Sequence, residues 1–538
     1  MSKGQNKQKF VEQCCSILIQ VLIPIAFGFY AITLGQDTNW DIQNYHLYNP
    51  YAFLNGRLNI DLSPASWASC FNPFLDLVYF EGIRHAAPWV VGFVLGFVQG
   101  LNFIVLLYIC KHCLGSINVK YTRWAVVLAF LGVLSVGFLS ELGTVYWDNV
   151  LSLFLLFSLL IVIASMDSIV TGRRCAFFPV ALAGIIAGWG AGLKLVLIMY
   201  AISLFISFFI LSIPHKRKLV FASLFGGGLV LGFMVSGGGW LCYIWHQMGN
   251  PIFPYMNNIF HGELAPIAPI HDLRFLPKNL FEKVFYPFVF TVNPSHAGEE
   301  SCTQISWLIV YLASITFIFS KLVYFFNKKE GAILNPQVKY LFSFFWFSFL
   351  LWLNAFGYYR YQITIEILIP LVLFALIFSI FELDSIASAI LVTMLAFVTI
   401  FNLNGVANWG HSNWSSKVYR IETTWAQKGK IDAVVLIDRP LAWLIPALDL
   451  KVPFIQIRPD YPVNKAYYQR AQSILNSSAN GKILVIFQPW VVSLDEAGDM
   501  LGKYDLYLKK GSCSLEKGYI GTKEIFFMFC PAERISKK

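Results

Sequence analysis

Residues 35–57 read GQDTNWDIQNYHLYNPYAFLNGR and follow an apolar run from about Cys15 to Leu34, long enough to cross a bilayer. Asp37, Asp41, His46 and Arg57 sit among Trp and Tyr residues where the chain leaves that run. Ionisable groups at membrane depth are expensive and mark function by default. The meaning of this stretch depends on whether the rest of the chain also lives in a membrane.

Composition says that it does. The chain has 538 residues, 57% hydrophobic and 17% aromatic, with only 13% charged; soluble chains carry about twice that charged fraction. Apolar runs of roughly 17–25 residues recur along it, matching the hydrocarbon thickness of a bilayer. The net charge of +10 is dispersed in short clusters between those runs. Such clusters set membrane orientation, and nucleic acid is excluded as a partner. The N-terminal MSKGQNKQKF is basic, but the following run is long and no A-x-A site follows it. It reads as a retained first transmembrane helix. Among the ten cysteines a single C-x-x-C, Cys110–Cys113, lies at the end of an apolar run without a second pair to complete a zinc or iron–sulfur site, so no metal or other cofactor is expected. Cys14 and Cys15, near the cytoplasmic end of the first helix, read as inert.

About eleven spans can be placed, near 15–34, 87–110, 124–140, 150–166, 177–193, 195–213, 219–240, 303–325, 340–356, 365–381 and 386–402. With the N-terminus inside, the cytoplasmic segments carry Lys3, Lys7 and Lys9; Lys111, Lys120 and Arg123; Arg173 and Arg174; HKRK (215–218); and Lys328, Lys329 and Lys339. The opposite short loops are much poorer in Lys and Arg, as the positive-inside rule requires. Odd parity places everything after residue 402 outside.

That tail, 403–538, is charged and has short apolar runs. AVVLI (433–437), VPFIQI (452–457), KILVIF (482–487) and EIFFMF (524–529) read as strands, and 464–475 and 494–502 as helices. The expected fold class is an α-helical polytopic membrane protein with a C-terminal extracytoplasmic α/β domain. The domains are 1–402, with large outer loops 35–86 and 241–302, and 403–538. Cys513 and Cys530 flank an expected terminal hairpin and could pair outside the cytoplasm.

The ionisable residues fall on one side. Asp37 and Asp41 follow the first span. Glu141 and Asp148 lie in ELGTVYWDNV (141–150), Lys194 in GWGAGLKL (188–195) and Arg360 in YYRYQITIE (358–366), all expected at outer turns. This pattern points to a cavity open to the outer face. A carboxylate there can act as general base on an acceptor hydroxyl or amine. Lys and Arg can hold a phosphate and stabilise an anionic leaving group, and aromatic faces can stack on sugars.

In order and sidedness these segments resemble the GT-C superfamily of membrane glycosyltransferases, which includes protein O-mannosyltransferases and lipid A aminoarabinose transferases. WDIQNYHLY (40–48), NGR (55–57) and NPFLDL (72–77) fit its first outer loop; YWDNVLSLF (146–154), AGWGAGLK (187–194) and the YYRY turn fit later segments. The resemblance spans roughly residues 15–400. It implies an integral inner-membrane hexosyl- or pentosyltransferase moving sugar from a polyprenyl-phosphate donor to a glycan, lipid or protein acceptor. Asp41 takes the acid/base role, Asp148 is the second carboxylate, and Lys194 and Arg360 bind donor phosphate. Tyr45, His46, Arg57, Glu141, Tyr359 and Tyr361 are secondary substrate-binding candidates. Ile42 stands where a second acid often follows the first, and the resemblance assigns no role to the α/β tail.

Plainer readings compete. Asp37, and also Asp41 or Asp148, could cap helices. Lys194 could snorkel, and Arg360 could anchor in an aromatic belt. His46 suits a structural hydrogen bond, Arg57 and Asp76 could pair with neighbours, and GGG at 226–228 and 237–239 suits close helix packing. A transporter or flippase would place charges near the midplane in repeated halves; these acids sit at helix ends, and no repeat is seen. A non-catalytic assembly component is the remaining class.

Overall fold

The computed structural model describes residues 3–327, 334–423, 425, 431–477 and 482–535. Lys328 and Lys329 lie outside the described residues, as do the side chains of Lys3, Lys7, Lys9, Cys14 and Cys15. The chain divides into two compact units. The first comprises Met1–Thr33, Phe93–Gly237 and Asp272–Trp409; the second comprises Leu34–Gly92, Gly238–His271 and Gly410–Lys538. The second unit thus takes in the expected tail from residue 410 onward, all of the 35–86 loop and residues 241–271 of the 241–302 loop.

The first unit is helical. Among the described residues of the whole chain, seven helices are long and apolar enough to cross a membrane. A pair bent by 54°, Tyr359–Glu366 with Ile369–Phe381, gives an eighth. Asp148–Ala164 and Leu195–Ile210 are apolar but shorter. The span expected over 124–140 is split into Ala125–Val133 and Val136–Ser140. The count of about eleven is therefore not reached by helix length. Pieces buried among other helices need not match the bilayer thickness, because protein satisfies their backbone ends.

Two of the long helices meet backbone to backbone. A Cβ added to Gly184 or Gly188 of Phe177–Leu193 would lie 2.1 or 2.0 Å from the carbonyl oxygens of Phe225 and Leu229. At Gly228 and Gly232 of His215–Phe233 it would meet Ala181 O and Ile185 O at 2.2 and 2.0 Å. Small residues permit this approach where lipid offers no hydrophobic drive.

The second unit contains two sheets. Strand β1 (Gln36–Asp37) pairs antiparallel with β2 (His411–Ser412). The larger sheet contains β3 (Tyr419–Glu422), β4 (Ile431–Leu436), β5 (Phe454–Gln456), β6 (Lys482–Phe487), β7 (Leu506–Leu508), β8 (Ser514–Ile520) and β9 (Lys523–Arg534). Its order is β3-β8-β9-β6-β4-β5, with β7 also on β9. β4 lies parallel to both β5 and β6; β9 is antiparallel to β6 and β8. Ala433, Val435, Ile455, Ile483 and Val485 are buried against Tyr467, Ala471 and Leu475 of Lys465–Ser477, and Ala497 and Leu501 of Leu494–Gly502. The latter helix starts at a capping box: Ser493 Oγ accepts from Glu496 N, and Glu496 Oε2 accepts from Ser493 N. Cys513 and Cys530 are joined as a disulfide across the β8–β9 region.

Candidate active site

In the first unit the site is built on the loop at 141–148. A buried polar network holds it. Gln99 accepts from Gly143 N at 2.7 Å and donates to Thr144 O, and Asn102 donates to Asn149 O at 2.7 Å. Asn149 in turn donates to Phe138 O at 2.9 Å. Trp147, at φ +70°, turns the chain into the helix Asp148–Ala164. Few bulky residues adopt that conformation without tertiary support.

Asp148 opens this helix and is 6% exposed. Its Oδ1 accepts from Lys194 Nζ at 2.6 Å, and its Oδ2 lies 4.0 Å from Arg360 Nε. Lys194 also donates to Tyr146 O at 2.9 Å, so two of its three N–H groups serve protein acceptors. Arg360 lies over the rings of Tyr146, Tyr358 and Tyr361 at 4.2, 5.0 and 5.3 Å, and Lys194 lies 5.2 Å from the Tyr361 ring centre. Glu141, buried in the same loop, feels the charges of Asp148, Arg360 and Lys194. Two cations and two carboxylates are thus gathered inside an aromatic wall, where low dielectric strengthens each interaction.

The Arg360 turn is fixed from several sides. Tyr200 donates its hydroxyl proton to Tyr361 O, Trp352 Nε1 donates to Tyr358 O at 2.8 Å, and Tyr359 N donates to Ala297 O at 2.5 Å. Tyr359 is itself buried. Glu366, one turn further on, is buried and accepts from Gly137 N at 3.0 Å. It was not among the sequence candidates. A lone carboxylate entering the apolar run after residue 366 was the signal that pointed to it.

In the second unit, Asp37 and Asp41 separate into different tasks. Asp37 accepts from Asn39 N and Asn39 Nδ2, each at 2.9 Å, in a local turn. Asn39 Oδ1, not Asp41, takes the helix-start N–H of Ile42 at 2.8 Å. The Asp41 side chain makes no capping bond; it accepts from the Tyr45 hydroxyl at 3.2 Å and is 8% exposed. His46 Nδ1 lies 2.6 Å from Asp76 Oδ1, a buried pair. Arg57 is engaged on all sides. It makes a two-pronged contact with Asp61 and donates to Leu450 O and Val452 O. This geometry fastens 57–61 to the segment 450–452 that leads into β5.

No protein-family model matches the chain, and no curated protein matches it significantly. Solved structures do. ArnT from Cupriavidus metallidurans, bound to undecaprenyl phosphate, superposes over 95% of this chain and 97% of its own, with TM-score 0.54 at 12% identity. The fold is therefore the one this ArnT structure has. An Archaeoglobus fulgidus oligosaccharyltransferase, tethered to an acceptor peptide, covers 87% of this chain and 69% of its own at 12% identity; its TM-score of 0.46 is too low to add to that conclusion. At such identities the likeness speaks for the architecture alone, and the site must be argued from its own residues.

Proposed function

We infer that the protein is an integral membrane glycosyltransferase that moves a sugar from a polyprenyl-phosphate donor to a hydroxyl of a glycan, lipid or protein on the outer face of the inner membrane. The observation that carries this reading is the Lys194–Asp148–Arg360 cluster walled by Tyr146, Tyr358 and Tyr361. A sugar phosphate needs cations beside the bond that breaks, and an Arg fork and a Lys ammonium are the two side chains suited to phosphate oxygens. Asp148 holds both cations in place and balances their charge until a phosphate takes its share of their N–H groups.

In this reaction Asp41 accepts the proton of the acceptor hydroxyl, and the oxygen attacks the anomeric carbon. The bond from that carbon to the phosphate oxygen breaks, the electron pair leaves with polyprenyl phosphate, and the anomeric centre inverts. The leaving phosphate gains negative charge, which Lys194 and Arg360 neutralise. Tyr45, hydrogen-bonded to Asp41, orients the base. Glu141, Tyr359 and Tyr361 shape the donor side. Membrane lipids surround the helices, and the tail 403–538 faces the extracytoplasmic space.

The test mixes the purified full chain with radiolabelled polyprenyl-phosphate sugar and follows release of polyprenyl phosphate. Asp41→Asn is expected to lower turnover by about 10²–10⁴-fold, the range for loss of a general base. Lys194→Met and Arg360→Met are expected to weaken donor binding. Unchanged turnover in Asp41→Asn would remove Asp41 from the mechanism.

A further inference from the structure

The parallel strands β4, β5 and β6 end together, and the residues just beyond them are polar where the strands are apolar. Asp438 follows β4, Gln456 closes β5 with Arg458 two residues on, and Gln488 follows β6. In an open α/β sheet the crevice outside the carboxyl ends of parallel strands is where ligands are held. All of these residues belong to the second unit.

The groups at this edge are tied to one another. Gln456 Nε2 donates to Asp438 O at 2.8 Å, and its Oε1 accepts from Arg458 N at 2.9 Å. Asp438 Oδ2 accepts from Gln488 N at 3.1 Å. Arg439 is paired with Asp460, whose own N–H is held by Ser66 Oγ.

One atom is left over. Asp438 is 4% exposed, yet its Oδ1 has no hydrogen-bond partner among the described residues. A buried carboxylate oxygen without a donor is costly, and each such case calls for an explanation. Two tryptophans belong to the segments that meet at this edge. Arg439 lies 5.8 Å from the Trp40 ring centre, and Trp40 is 43% exposed directly before Asp41. Trp490 stands at the turn after β6, where Val491 N and Val492 N both bond to Gln488 O, and it is 59% exposed.

A buried carboxylate with an unmatched acceptor oxygen, the Gln456 amide and the Arg439 and Arg458 charges near it, and exposed Trp side chains on the adjoining segments suit one ligand chemistry: a polyhydroxylated ring. Sugar hydroxyls donate to carboxylates and accept from amide and guanidinium N–H groups, while the apolar face of the ring stacks on indole. We propose that the carboxyl edge of β4, β5 and β6 is a saccharide subsite for the acceptor, with Asp438 Oδ1 taking a ring hydroxyl and Trp490 carrying the ring. This rests on the glycosyltransferase reading above. It gives the α/β portion a task in choosing the acceptor, and Trp40 makes the subsite continuous with Asp41, its sequence neighbour.

The experiment uses the full chain in lipid nanodiscs and, as probe, oligosaccharides released by mild acid from the envelope glycolipids of the producing cell. Saturation-transfer NMR measures their binding to wild type, Asp438→Asn and Trp490→Ala. Trp490 is a surface residue, so its truncation keeps the test valid if Asp438→Asn folds poorly. The expected result is saturation transfer with wild type and about a tenfold weaker dissociation constant in each variant, the loss of one charged hydrogen bond or one stacking face. No transfer with wild type, or equal affinity in wild type and both variants, overturns the subsite. Polyprenyl-phosphate binding, read in parallel by native mass spectrometry, separates the sources. Variants that weaken it while leaving oligosaccharide binding intact would assign the edge to the donor sugar and overturn the acceptor assignment. Release of polyprenyl phosphate by wild type is scored apart, so failure of the glycosyltransferase reading is seen independently of the saccharide titration.

Discussion

Arg57 is a long cation at 2% exposure, and its partner Asp61 is withdrawn with it. The pair is held by two parallel contacts at 2.9 and 2.7 Å, and Asp61 Oδ1 also accepts from Phe454 N. Removing the cation alone strands a buried carboxylate, which costs about 3–5 kcal/mol. Arg57→Met is therefore expected to lower the melting temperature of the purified chain sharply, and Arg57→Met with Asp61→Asn to recover part of the loss. A single variant as stable as wild type would show that the pair is idle. Asp438 gives a pH-dependent counterpart. Burial pushes its carboxyl up to about 7, against the pull of the Gln488 N–H and of Arg458 and Arg439. Its folded value lies above its unfolded value, so the folded state holds a proton that the unfolded chain has released between about pH 4 and 7. Its contribution to stability is thus greatest in acid, falls as pH rises through that window, and is flat above it. Asp438→Asn removes the slope, and the variant is expected to gain in melting temperature relative to wild type between pH 5 and pH 8. A constant difference across that range would contradict the assignment.

At the scale of elements, the two glycine-bearing helices make opposite demands at different positions. Gly188 faces a backbone carbonyl at 2.0 Å from where a Cβ would stand, whereas Gly227 has nothing within 4 Å. Gly188→Ala forces two backbones apart and is expected to destabilise by about 1–3 kcal/mol. Gly227→Ala gains helix propensity of up to about 1 kcal/mol. Thermal unfolding of the two variants should fall on opposite sides of wild type, and the reverse order would refute the packing. These glycines were legible as a packing signal in the triple at 226–228, though only Gly228 makes the close approach; one sequence cannot tell which face of a helix meets a partner. Strands β4 and β6 were legible because their apolar runs are nearly continuous, as strands buried on both faces must be. Strands β3, β7 and β8 were not: they are short or mix exposed and buried positions, and enter the sheet by pairing, β7 and β8 with β9 and β3 with β8. The span at 124–140 misled for the converse reason. Its composition is apolar throughout, and a break at Leu134–Ser135 carries no polar mark strong enough to announce itself. In the site, Asp148, Lys194 and Arg360 could be named because charges are rare in apolar sequence, but the pairing of Lys194 with Asp148 needs chain segments 46 residues apart to meet.

For the whole molecule, charge distribution and covalent chemistry make the same demand. Basic residues cluster at HKRK (215–218) and at Arg173–Arg174, which the positive-inside rule assigns to the cytoplasm. The disulfide between Cys513 and Cys530 belongs to an oxidising compartment, so the C-terminal region should lie on the opposite side. The 17-residue separation closes a loop whose cross-link stabilises by roughly 3 kcal/mol in the chain-entropy picture. Two measurements check this. Alkaline phosphatase fused after Lys538 is expected to be active in intact cells, and a fluorescent protein that matures only in the cytoplasm is expected to stay dark at the same position. In isolated membranes without detergent, a membrane-impermeant maleimide should label Cys513 or Cys530 from the outer side only after a reductant is added. Reductant should also lower the melting temperature of the wild-type chain, and do so less in Cys513→Ser with Cys530→Ser. An active cytoplasmic reporter at the C-terminus would invert the topology and, with it, the face of the membrane on which Asp41 could meet an acceptor.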